Sequence, residues 1–175
     1  MGRTRDTRLR RVAVHEAGHA VAAVRFHHGL RRATVEPGED SLGHILANLL
    51  PRSVRRALEL EWPTPAQRRR VEGFLTMLLA GPAAERRLTG RWNHVHAGQD
   101  YADAAYVAMR ASRDEADMDR QLEAAEDRGV AFADEHWFEI EAVAAALAER
   151  GTLTGREVRA IVGALPREPR GLRDS

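Results

Sequence analysis

Residues 12–24 read Val-Ala-Val-His15-Glu16-Ala-Gly-His19-Ala-Val-Ala-Ala-Val. His15, Glu16 and His19 are the only polar side chains in that run. From Arg8 to Phe26 there is no proline and one glycine, so a helix is expected, with Thr4, Asp6 and Thr7 offering N-caps and Gly29 marking the end. On a helix turning about 100° per residue the two imidazoles lie one turn apart and about 40° round the axis, with Glu16 within about 60° of His19. The His-Glu-x-x-His spacing therefore lets both rings reach one metal with the carboxylate beside it. Zinc held by two imidazoles and a carboxylate keeps a fourth position for water, lowers that water's pKa towards about 7, and leaves the neighbouring Glu16 to accept the proton as general base. Burying such a carboxylate unpaired on an otherwise apolar helix costs several kcal/mol, which a metal and its water would relieve.

The rest of the chain suits a single domain. Its 175 residues can bury a core without disulfides, and 43% apolar against only 5% aromatic residues favours packed helices over sheets. With no cysteine, any transition metal must be held by His, Asp or Glu, and a cytoplasmic setting is compatible. A formal net charge of +1 gives no global field for nucleic acid, and the arginines at 3, 5, 8, 10 and 11 read as a solvated lead-in. Nowhere do about 18 apolar residues run together, so no membrane span or signal peptide is expected.

Beyond the first helix, Ala33-Thr-Val35 and Leu42-Gly-His-Ile-Leu46, separated by Pro37 to Asp40, read as a small hairpin, the one sheet expected. Ala66 to Leu88 has helical spacing, with Gly81-Pro82 expected to interrupt or kink it. Thr89 to Gly98 reads as a loop, followed by helices from near Gln99 to Arg110, from Arg120 to Glu135 after an acidic break, and from His136 to Glu149. Gly151 should end the last of these, and Thr154 should cap a short final helix to Val162. Residues 1–165 are thus read as the domain and 166–175 as a disordered tail.

A third ligand is needed. Ala22 and Arg25 stand where HExxHxxGxxH requires glycine and histidine, which excludes that class. Glu36 and Glu39 sit in the presumed hairpin turn; Glu85, on the second long helix, and Asp100, opening the third, are better placed. His44 lies on the second candidate strand, where an edge can bind substrate backbone and the ring could help stabilise an oxyanion. His27 and His28 read as exposed residues ending the first helix, His94 and His96 as members of a solvated loop, and Trp137 and Phe138 as core anchors.

These residues carry a family resemblance. His15-Glu-Ala-Gly-His-Ala-Val21 resembles the active-site helix of the FtsH family of AAA proteases. Leu42-Gly43, Leu79-Ala-Gly-Pro-Ala-Ala-Glu85, Ala97-Gly-Gln-Asp100 and Leu153-Thr-Gly-Arg-Glu-Val158 are similar, in order, to later segments of that family, so the likeness spans about residues 10 to 163. It implies a mainly α, FtsH-like metallopeptidase domain with a small hairpin, Asp100 as third zinc ligand and Glu85 in a structural role. A carboxylate at a helix N-terminus, held ionised by the dipole, is physically suited to that task. The chain departs from the family at Gln99, in a longer loop before Asp100, and in the charged run Ser112 to Asp119.

HEAGH starts fifteen residues from Met1, and no GxxxxGK loop occurs, so the resemblance implies a peptidase without its own ATPase, acting on unstructured polypeptides. A homo-oligomer or a separate ATPase partner would fit. The rival expectations are a non-catalytic interaction module that retains the fold and its zinc, which has no need of Glu16, and a zinc store or sensor.

Overall fold

The structure, a computed structural model, describes residues 2–36, 50–60, 64–93 and 95–165. Among them are seven helices and one two-stranded sheet: α1 (Gly2–Arg25), β1 (Arg32–Thr34), α2 (Arg52–Leu58), α3 (Pro65–Thr89), α4 (Gly98–Ala111), α5 (Glu115–Glu135), α6 (Trp137–Arg150), β2 (Thr152–Thr154) and α7 (Gly155–Ala164). None of these helices is long and apolar enough to cross a membrane.

Helix α3 is the centre of the fold. It packs against α1, α2, α4 and α5, while α1 also packs on α6. Two apolar clusters follow from this arrangement. Ala13, Val14, Ala17 and Val21 of α1 meet Ala80, Ala84, Ile140 and Leu147, and Phe74, Leu75 and Leu79 of α3 meet Val54, Val107 and Ala125. Small residues let α1 and α3 approach closely: a Cβ on Gly18 would lie 2.5 Å from the Ala80 carbonyl oxygen. The glycine of HEAGH is thus a packing requirement.

Several local expectations are corrected. Helix α1 starts at Gly2, so positions 4, 6 and 7 lie inside it rather than ahead of it. Helix α3 runs unbroken through Gly81-Pro82, opened by a capping box between Thr64 and Gln67 and closed by Gly90 in the left-handed region (φ 77°). The acidic stretch from Asp114 opens α5 instead of separating helices: Asp114 accepts a hydrogen bond from the Asp117 amide, and the following acids favour the helix dipole. Trp137 packs on the core, but Phe138 is 65% exposed and anchors nothing.

The sheet also differs. β1 pairs antiparallel with β2, Ala33 opposite Leu153, so residues about 120 positions apart close the fold, with the Thr34 and Thr152 hydroxyls hydrogen-bonded at 2.8 Å. The expected second hairpin strand, with Leu42, Gly43 and His44, lies outside the described residues, as do Glu39 and the 166–175 tail. Thr154 does cap the last helix, in a reciprocal box with Glu157.

Candidate metal centre

α1 presents Arg11, His15 and His19 one turn apart along the face it turns to α3 and α4. His15 is almost fully buried and His19 less so, its side chain 17% exposed. Each ring has one nitrogen committed behind it. His19 Nδ1 donates to the Met77 carbonyl at 2.8 Å, since a carbonyl can only accept. His15 Nδ1 lies 3.2 Å from Glu85 Oε2 and donates to that carboxylate. With the Nδ1 protons so placed, the neutral tautomer of each ring carries its lone pair on Nε2.

Both lone pairs point to the same place. His15 Nε2 and His19 Nε2 are 3.1 Å apart, and Asp100, in the first turn of α4, sets Oδ2 3.1 Å from the first and Oδ1 3.3 Å from the second. Tetrahedral zinc with bonds of about 2.0 to 2.2 Å separates its ligands by about 3.3 to 3.6 Å. The three donors, 3.1 to 3.3 Å apart, stand close to the corners of one coordination tetrahedron, and three converging acceptors require a cation between them or protons in its place. The group can hold a metal ion.

The electrostatics agree with that requirement. Burial opposes charge on His15, but hydrogen bonds to Asp100 and Glu85 outweigh it and lift the pKa to about 9. His19 is raised too, burial again being overcome by the Asp100 charge. Asp100 is held well below the usual carboxylate range despite its burial, chiefly by His19. Burial works against the Glu85 charge, yet its bonds to His15, Asn93 and His96 bring it down to about 2. The pocket thus keeps its carboxylates ionised and draws in positive charge.

Two further features were not visible in the motif. Gly81 faces His19, and a Cβ there would overlap the imidazole, so the Gly-Pro pair that reads as a helix breaker instead makes room for a ring. Glu85 sits behind His15, on the opposite side of the ring from Nε2, and also binds Arg11, Asn93 and His96. His96 is accordingly no free loop residue: its Nδ1 is 2.8 Å from Glu85 Oε2. Glu16 is half-buried beside the trio, near enough to raise both imidazole pKa values.

Other candidates lie elsewhere. Glu36 rests against Gly151 at the strand pair, away from the imidazoles. His27 is exposed as expected, but His28 turns inward, its ring 5.4 Å from that of Phe74, and burial lowers its pKa. His94 is outside the described residues. Asp100 makes no cap of its helix, whose N-cap is Ala97. No protein-family model matches the chain, and no curated protein is significantly similar to it.

Proposed function

We propose that this chain is a zinc-dependent endopeptidase with an FtsH-like peptidase fold, hydrolysing peptide bonds in unstructured polypeptides. The observation that carries the reading is the convergence of His15 Nε2, His19 Nε2 and the Asp100 carboxylate, 3.1 to 3.3 Å apart, with Glu16 next to His15 on the same helix. His15, His19 and Asp100 would hold the ion. Bound zinc would supply Lewis acidity, which would polarise the scissile carbonyl and lower the pKa of bound water towards about 7.

The chain's own groups do the rest. Glu16 accepts the proton of the attacking water at its carboxylate and passes it to the leaving amine. Met77 and Glu85 fix the imidazole tautomers, so no proton on Nε2 must be displaced once the rings are neutral. Of the three donors, His19 is the most open to solvent, its side chain 17% exposed. Cleavage is expected of segments already unfolded.

Glu16→Gln separates chemistry from binding. The variant should hold zinc as the wild type does and lose cleavage of an unfolded polypeptide by about 10²- to 10⁴-fold, the usual contribution of a general base. Retained cleavage would sink the assignment.

A further inference from the structure

The third donor of the candidate centre stands on a different element from the other two, and the segment that delivers it is tied down by residues outside the donor set. Between the end of α3 and the start of α4 the chain makes a turn braced on itself: the Asn93 carbonyl accepts from the Ala97 amide at 2.9 Å, and Asn93 Oδ1 accepts from the His96 amide at 3.2 Å. The same Asn93 donates through Nδ2 to Glu85 Oε1 at 3.0 Å, and His96 donates through Nδ1 to Glu85 Oε2 at 2.8 Å. Glu85 is 2% exposed and holds the His15 ring through the same oxygen that binds His96.

One carboxylate therefore fastens α1 and the loop together. The His96 ring also meets the His15 ring edge to face, with centroids 4.9 Å apart. Asp100 follows His96 by four residues, one helical turn, and the Tyr101 amide bonds back to the Ala97 carbonyl, so α4 continues the turn with no slack between. A displacement of His96 would therefore act on the first turn of α4, where Asp100 stands.

We infer that His96 and Asn93 form a latch on Glu85 that sets the position of Asp100, making them positioning residues for the metal ion. The inference rests on the zinc reading of His15, His19 and Asp100, but not on peptidase activity. His15, Glu85 and His96 also lie close enough together to hold a cation of their own. The hydrogen bonds favour the latch: Glu85 Oε2 already accepts from both rings, and the Arg11 guanidinium 3.2 Å from Oε1 opposes a second cation.

Zinc affinity, measured by competition with a chromogenic chelator, tests the latch. His96→Ala should weaken zinc binding by about 10- to 100-fold, the range for loss of a partner outside the ligand set. His96→Asn, whose amide can donate from near the Nδ1 position, should restore it to within about threefold. In an Asp100→Ala background His96→Ala should change nothing further, because the latch acts through Asp100; a merely structural effect would persist there. Melting of the metal-free variants checks that each is folded.

Unchanged affinity in His96→Ala, or an equal additional loss in the Asp100→Ala background, overturns the latch while leaving the peptidase reading intact. A second zinc equivalent in the wild type that disappears in His96→Ala, with the first unaltered, would make His96 a ligand of its own ion and also overturn it. A wild type that binds no zinc overturns both readings, whereas one that binds zinc with the expected His96 dependence but cleaves nothing overturns only the peptidase.

Discussion

At the scale of single residues, the candidate centre depends as much on a missing side chain as on the donors present. Gly81→Ala would raise helix propensity by about 1 kcal/mol, yet its Cβ would occupy the volume of the His19 ring. The His19 imidazole must then leave the Met77 carbonyl, and zinc affinity should fall by at least about tenfold. An affinity equal to wild type, by the same chelator competition, would mean that His19 does not stand where its bond to Met77 puts it. Asp100→Ala removes a donor outright and should cost more than the roughly 10- to 100-fold typical of an outer partner. Unaltered zinc content in that variant would move the third ligand to another carboxylate. His15, Glu16 and His19 are legible in the sequence because helical geometry converts their spacing into one face. Gly81 is not, because its role depends on a ring 62 positions earlier in the chain.

At the scale of elements, legibility follows how local the decisive interaction is. The final helix announces itself through Thr154 and Glu157, whose box is complete within four residues. Glu157 is held at a pKa of about 2 by the Thr154 side chain first and by Arg150 next, below its ordinary 4.5. Between those values the unfolded chain binds more protons than the folded one, so this contribution is full above about pH 4.5 and is lost as the pH falls towards 2. Urea denaturation should accordingly show the wild type's lead over Glu157→Gln shrinking across that window. A constant difference from pH 6 to pH 2.5 would contradict the assignment. Longer-range features escape local reading for a physical reason. Gly81-Pro82 has every local mark of an interruption, but packing of α3 on α1 and α5 keeps the helix continuous through it. Strands of three residues carry too little alternation to reveal that 32–34 pairs with 152–154.

At the scale of the whole molecule, α3 carries the organisation: it receives α1 through glycine contacts, supplies the Met77 carbonyl and Glu85, and supports the loop that leads to Asp100. The mainly helical class was readable from composition, since Ala and Leu without many aromatics pack as helices. That Asp100 could meet the imidazoles was not readable from spacing, because the chain passes through the whole of α3 between them; the order of resembling segments pointed to it. The loop's grip on Glu85 lies hidden in Asn93 and His96, which look like solvated loop residues until the fold brings both within hydrogen-bond reach of that carboxylate. If these parts hold zinc for hydrolysis, activity must follow the metal: the protein is stripped with a chelator and cleavage of an unfolded polypeptide is followed as zinc is returned. Cleavage should be absent at first and rise to a plateau at one zinc per chain; one tightly bound zinc per chain with no cleavage would contradict it and leave a metal-holding interaction module.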